Sequence, residues 1–129
     1  MEKFKEKVED VQKILEDTMR NYFSDIEVEI ANFYKAIRVT NEYWTLNFWI
    51  RIHEISDKLV LDFSTVEIPK EYRRKGIFTE VINQLKECKH IKEIRVTSVL
   101  TPEMKNWCIK NSFKVTNEID FVYDKEINK

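Results

Sequence analysis

One short stretch of the sequence carries the residue types from which an anion-binding site could be built. Gly76 is the only glycine among 129 residues, and the pattern around it predicts a loop between a strand and a helix. Arg73, Arg74 and Lys75 precede it directly. The first N–H groups of a helix have no intrahelical partner and lie at the positive end of the helix dipole. The stretch therefore predicts a phosphate or pyrophosphate site, the alternative being an ordinary helix start with a solvated basic run.

The other reactive residue types are few and scattered. Cys88 and Cys108 form no CxxC motif and are too few for a disulfide framework, so reduced thiols are expected. No His, Cys or Asp cluster has metal-ligand spacing, and no metal site is predicted. His53 falls on the polar side of a predicted strand, where it either lines an acceptor site or is an ordinary surface histidine.

The composition excludes several classes of protein. Basic and acidic side chains number 22 and 23, which gives a net charge of −1 and no global field for nucleic acid or an anionic membrane. The chain is 43% hydrophobic, so it can form a core and is not intrinsically disordered. It has no apolar run of about 18 residues and no signal peptide. One cytoplasmic domain over residues 1–129, without a membrane or nucleic-acid partner, is predicted.

Apolar periodicity predicts the elements that must position the loop. Steps of three and four residues are typical of helices, and strict alternation is typical of strands. Helices are predicted over 3–23 and 75–89, and a third begins at Pro102 with Thr101 as its cap. Two short strands, or one bulged strand, are predicted between residues 25 and 39, followed by strands over 42–55, 58–68, 91–99 and 114–124. One face of the strand 42–55 is expected to hold Trp44, Leu46, Phe48, Ile50 and Ile52.

A change of phase inside the strand 58–68 is a second sign of a site. Leu59, Leu61 and Phe63 have one parity, whereas Val66 and Ile68 have the other. A β-bulge near Ser64–Thr65 explains this change and leaves backbone groups without ladder partners. Because a predicted helix separates this strand from the strand 91–99, the two are expected to be parallel. The predicted fold class is α/β (α+β), with a mixed, mostly antiparallel sheet that has a central parallel strand pair and is flanked by helices.

The glycine-bearing loop resembles a motif of the GNAT superfamily of N-acetyltransferases. Residues 72–78, YRRKGIF, are similar to that family's acyl-CoA-binding loop, Q/R-x-x-G-x-G/A, which follows a strand. Arg73 and Gly76 match the pattern, and Phe78 stands where the family usually has Gly or Ala.

A later segment carries the second part of this resemblance. Residues 101–113 are similar to a GNAT helix that commonly ends in Y-x-x-x-G-F. Phe113 matches, Cys108 replaces the tyrosine, and Ser112 replaces the glycine. The motif-bearing resemblance covers residues 58–124.

The resemblance implies that acetyl-CoA is the acyl donor. In the family, a bulged strand binds pantetheine through its free backbone groups, and the loop amides bind the pyrophosphate. Pantetheine would then face Val66, Glu67 and Ile68. The pyrophosphate would be bound by the motif residue Arg73 and by the amides of Arg74, Lys75, Gly76, Ile77, Phe78 and Thr79. The Phe78 side chain must turn into the core to leave room for the phosphates.

The implied reaction is direct attack of an amine on the acyl thioester, which needs a base and a proton donor. Asp62 and Glu67 lie on the bulged strand and are the candidate bases, the alternative for each being an ordinary strand acid. Cys108 lies at the position of the family's acidic tyrosine and is the candidate proton donor, or else a small buried hydrophobe.

Three functions remain open at this stage. The first is an N-acetyltransferase that acetylates a small-molecule or protein amine, and the second is a catalytically inactive GNAT-like binding or regulatory module. The third is a nucleic-acid-binding module using Arg73, Arg74 and Lys75, against which the near-neutral charge argues. Exposed strand edges allow a homodimer in each case.

Overall fold

The computed structural model describes residues 2–73 and 75–125, with side chains from residue 3 onward. Its helices are α1 (Glu2–Met19), α2 (Ile77–Lys86) and α3 (Pro102–Lys110), with a 3₁₀ turn at Lys70–Tyr72. Its strands are β1 (Glu27–Ala31), β2 (Ala36–Thr40), β3 (Asn47–Ile55), β4 (Lys58–Glu67), β5 (Ile91–Val96), β6 (Lys114–Val115) and β7 (Phe121–Asp124).

These strands form one mixed sheet in the order β1-β2-β3-β4-β5-β7-β6. β4 and β5 are parallel and are joined by the crossover helix α2, whereas the other neighbouring strands are antiparallel. The predicted fold class, a mostly antiparallel sheet with a central parallel pair, is confirmed.

The core lies between one face of the sheet and the helices. α1 buries Val8, Val11 and Leu15, as their spacing of three and four residues predicts. α2 packs beside α1, and its Phe78 contacts the aromatic rings of the central strands. α3 continues the same layer, since the Trp107 ring lies 4.6 Å from that of Phe78.

The predicted strand 42–55 is wrong in its first part. Strand β3 begins only at Asn47, and Trp44 has a left-handed φ of 58° with 56% of its surface exposed. The Asn41 side chain accepts the N–H of Leu46 at 3.0 Å and donates to the Thr45 hydroxyl. These local bonds replace ladder bonds, so Trp44 does not share the buried face of β3.

The predicted strand 114–124 is also wrong, because it is a hairpin of β6 and β7. The Asn117 side-chain oxygen accepts the N–H groups of Ile119 and Asp120 and closes the turn between the two strands. The first predicted helix, 3–23, is too long as well. It ends at Met19, and the chain turns back so that the Phe23 ring is buried.

The second face of the sheet is open over β2 and β3. Arg38 and Trp49 are half-exposed on this face, and Arg51 and His53 are exposed. No described helix packs against it. The helices and the candidate loop before α2 therefore lie on one side, and a polar surface lies on the other.

Candidate functional site

Strand β4 contains the predicted bulge. Phe63 is opposite Ile50 and Thr65 is opposite Trp49, so Ser64 is an extra residue without a partner in β3. The Ser64 hydroxyl donates to the Trp49 carbonyl at 3.3 Å. The bulge re-aims the strand, which explains why Val66 has the opposite parity to Phe63.

β4 separates from β5 directly after this bulge. Their ladder ends at Phe63 and Val96, and the Thr97 N–H donates to the Phe63 carbonyl at 3.1 Å. Beyond that bond, β4 remains paired with β3, but no ladder joins it to β5 in the described part of the chain. Ser98 turns away with a φ of 58°, and its N–H donates to Asp120. The two parallel strands therefore open at their carboxyl ends, where ligands bind in α/β sheets.

Gly76 begins helix α2 in the left-handed conformation. Its φ is 76° and its ψ is 13°, which few residues other than glycine adopt readily. No side chain caps the helix, so the first-turn N–H groups lack a capping partner among the described residues. A Cβ at Gly76 would meet nothing within 4 Å, so the open side of this helix start faces free space.

Two described basic residues of the loop, Arg73 and Lys75, precede this helix start in the chain. Lys75 is exposed, and Arg73 is exposed while its Nε donates to the Ile68 carbonyl at 3.0 Å. That bond holds the end of β4 against the loop. Arg74, which the motif also singles out, lies outside the described residues.

Phe78 turns into the core. It is 6% exposed and contacts Phe48 and Phe63 edge-to-face at 5.9 and 5.5 Å, together with the Trp107 ring. Ile77 is also buried, and the Thr79 hydroxyl accepts the Trp107 indole N–H at 2.8 Å. The start of α2 is therefore anchored by its side chains, while its backbone stays on the surface.

The two candidate bases lie in different surroundings. Asp62 is 9% exposed, lies before the bulge, and accepts the Thr97 hydroxyl at 2.8 Å. Glu67 is exposed at the end of β4 and accepts the Asn47 amide at 3.3 Å. The Asn47 side-chain oxygen is itself buried without a hydrogen-bond partner in the described structure. Only Glu67 lies on the part of β4 that has separated from β5.

Cys108 does not fit the proton-donor interpretation. Its side chain is fully buried, and burial raises the pKa of the thiol to about 12. The structure matches the alternative prediction, a small hydrophobe on the inner side of α3. The side chain at the tyrosine position of the resembled motif is thus part of the core.

The sequence analysis did not identify some residues near the opening between β4 and β5. Thr97 and Asn47 hold the two carboxylates, and Arg38 lies between the rings of Trp44 and Trp49. These contacts depend on the pairing of neighbouring strands and, for Trp44, on the turn before β3, so alternation of apolar residues does not report them. His53, by contrast, is exposed as expected for either of its predicted roles.

Comparison with known proteins returned matches among solved structures. The sequence matches no protein-family model and no curated protein. One similar solved structure is Arabidopsis thaliana Naa50 in complex with the bisubstrate analogue CoA-Ac-MVNAL (15% identity, TM-score 0.47, 67% of this chain and 69% of that chain). Another is a mutant AtaT toxin bound to the C-terminus of the antitoxin AtaR and acetyl-CoA (11% identity, TM-score 0.46, 88% and 75% of the two chains). At these identities the likeness concerns the fold alone.

In the described residues, no group of three or more His, Cys, Asp or Glu side chains is arranged to hold a metal ion. None of the described helices has the length and apolarity needed to cross a bilayer.

The burial of Cys108 leads to a prediction about thiol reactivity. Because Cys88 is half-buried and Cys108 is fully buried with a raised pKa, the native protein is expected to show one reactive thiol. Titration with a chromogenic disulfide reagent should give one equivalent in buffer and two in guanidinium chloride. The Cys88→Ser variant should give none until it is unfolded, and rapid reaction of Cys108 in that native variant would contradict its placement in the core.

Proposed function

We propose that this protein is an acyl-CoA-dependent N-acetyltransferase that moves an acetyl group from acetyl-CoA to a primary amine. The observation that carries the proposal is the bulge at Ser64, after which β4 separates from β5 beside an uncapped helix start. This arrangement offers free backbone groups along one strand and an anion site at the end of it. Acetyl-CoA needs both features, because its pantetheine arm contains amides that pair with a strand and its pyrophosphate needs an anion site.

The donor would lie along the separated part of β4. Its pyrophosphate would accept hydrogen bonds from the first amides of α2 and would be neutralised by Arg73 and Lys75. The pantetheine arm would pair with the backbone between Val66 and Ile68, both half-buried beside the core. The inward turn of Phe78 supports this placement, because its ring is buried among other aromatic side chains.

The transfer would be a direct attack without a covalent enzyme intermediate. The neutral amine nitrogen attacks the thioester carbonyl carbon, a C–N bond forms, and the C–S bond breaks. Free backbone N–H groups after the bulge could stabilise the oxyanion. We propose Glu67 as the base that takes the amine proton, directly or through water, since it lies on the separated segment. The departing CoA thiolate takes up a proton from water, and Cys108 is not proposed as its source.

Titration of the protein with acetyl-CoA in a calorimeter tests the donor site, with free CoA as the companion ligand. Micromolar binding corresponds to about −8 kcal/mol and would support the proposal. Release of the CoA thiol in the presence of amines then tests transfer. No binding at millimolar acetyl-CoA would refute the donor site.

Glu67→Gln is expected to lower kcat by about 10²–10⁴-fold, because the amide cannot accept a proton. The substitution keeps the shape and one acceptor for the Asn47 amide, so acetyl-CoA affinity should change little. The measurement is steady-state kinetics of the variant and the wild-type protein, with kcat and KM determined separately.

Two matched carboxylate variants act as comparisons. Glu27→Gln changes an exposed acid on β1 and should leave the kinetics unchanged. Asp62→Asn changes the other candidate base. If Asp62→Asn lowers kcat and Glu67→Gln does not, the assignment of the base to Glu67 is wrong.

A second candidate function is a binding module without transferase activity. The observation that favours it is the full burial of Cys108, which leaves the tyrosine position of the resembled motif without an accessible acid. In that case acetyl-CoA binds, but no amine releases the CoA thiol. The two assays above distinguish this outcome from catalysis.

A further inference from the structure

A cationic and aromatic stack lies on the open face of the sheet. The Arg38 guanidinium carbon is 5.2 Å from the Trp44 ring centre and 4.8 Å from the Trp49 ring centre. Trp44 is 56% exposed, and the neighbouring Tyr43 is 78% exposed. Two ring faces hold the guanidinium in position, and its N–H edge can still form hydrogen bonds. We refer to Arg38, Trp44 and Trp49 as the guanidinium stack.

Neither arginine on this surface is ion-paired in the described structure. Arg38 forms no salt bridge with a described carboxylate, although Glu29 is opposite it in the β1–β2 ladder. Arg51 lies on the same face two residues after Trp49 and is exposed. It likewise forms no salt bridge among the described residues, although Asp62 is opposite it in the β3–β4 ladder. By contrast, Arg95 is paired with Glu93 at 2.8 Å. The open face therefore presents two guanidinium groups that can bind an anion without first breaking an ion pair.

Strand register places the stack beside the candidate site. Arg38 is opposite Trp49, and Trp49 is opposite Thr65, the residue that follows the bulge. Neighbouring strands are about 4.8 Å apart, so a guanidinium lying over Trp49 is about one strand spacing from β4. The donor loop lies on the helix side of the sheet. An amine that approaches the opening between β4 and β5 from the open face of the sheet would pass the guanidinium stack.

We infer that the acceptor is a small primary amine that carries a carboxylate or a phosphate a few bonds from its nitrogen. Arg38 binds the anionic group, Arg51 adds positive charge, and the amine reaches the Glu67 end of β4. The short distance from the guanidinium stack to β4 limits the number of bonds between the anionic group and the amine nitrogen of the acceptor. This inference rests on the proposed transferase function, and it names the class of acceptor.

Three amines of matched length test the inference: β-alanine, O-phosphoethanolamine and propylamine. With acetyl-CoA as donor, kcat/KM for the two anionic amines is expected to exceed that for propylamine at least tenfold. In Arg38→Met, which keeps an apolar stem between the rings, this ratio should fall at least tenfold. Arg38→Lys should retain part of the ratio, because it keeps the charge and loses the fork of donors. The comparison of β-alanine with O-phosphoethanolamine identifies which anion is preferred.

Arg20→Met provides the matched control, since Arg20 is an exposed arginine just after α1 that pairs with Glu16. It should leave the ratio between the amines unchanged. A ratio near one in the wild-type enzyme would overturn the inference. So would an equal loss of kcat/KM for all three amines in Arg38→Met, since a purely structural role of Arg38 would produce that result.

A binding measurement separates this inference from the proposed function. The ¹H–¹⁵N signals of the indole groups are followed in the free protein during titration with O-phosphoethanolamine. Trp44 and Trp49 should shift, whereas Trp107, bonded to Thr79 at the start of α2, reports separately on phosphate binding at the proposed donor site. Shifts without acetyl-CoA binding would keep the anion site and refute the transferase. Acetyl-CoA binding without indole shifts or amine selectivity would refute the anion site alone.

Discussion

Gly76→Asp is expected to weaken acetyl-CoA binding at least 100-fold while leaving the fold intact. The φ of 76° is one that Asp adopts more readily than most residues, and a Cβ there meets no atom within 4 Å. The added carboxylate would lie at the start of α2, where the proposed pyrophosphate binds. Repulsion between the like charges, together with loss of close backbone approach, accounts for the expected effect. Calorimetric titration with acetyl-CoA measures it.

Gly76→Asn is the matched control for this variant, because Asn has the same shape without the charge. It should weaken binding about tenfold and unfold at nearly the same temperature as the Asp variant. Equal weakening by both variants would assign the requirement to close approach alone. Wild-type affinity in both variants would contradict the assignment of the pyrophosphate to this helix start.

Phe78→Ala is expected to destabilise the protein by about 3–5 kcal/mol. The ring is buried among Phe48, Phe63 and Trp107, so its removal leaves a cavity between α2 and the sheet. For a chain of 129 residues this lowers Tm by roughly 10–20 °C. Chemical and thermal unfolding followed by circular dichroism measure the change.

Phe78→Leu should cost clearly less, since it keeps most of the buried volume. The pair also tests how far the loop resembles its family, where Gly or Ala stands at this position. If Phe78→Ala is as stable as the wild-type protein and binds acetyl-CoA more tightly, the ring lies over the phosphates and not in the core. The structure leads us to expect the opposite result.

The local features of the site were predictable from the sequence because they depend on neighbouring residues. The N-cap of α3 is an example, since the Thr101 hydroxyl accepts the Met104 N–H at 3.3 Å as the Thr-Pro-Glu start predicts. The bulge at Ser64 was readable for the same reason, as it changes the parity of apolar residues within one strand. The prediction of a strand over residues 42–46 was wrong because the Asn41 side chain closes a turn there. The alternation of apolar and polar residues does not reveal these side-chain hydrogen bonds.

By itself the sequence determined the helices, most strands, the parallel pair and the loop in which a glycine precedes a helix. These follow from periodicity, crossover handedness and the freedom of one residue at positive φ. Tertiary structure alone decided that Phe78 turns inward, that Cys108 is buried, and that Arg38 lies between Trp44 and Trp49. The first two depend on contacts between segments far apart along the chain, and the third depends on the turn before β3 and on the pairing of β2 with β3. Periodicity assigns a residue to a face, but only packing and strand register determine which side chains meet on it.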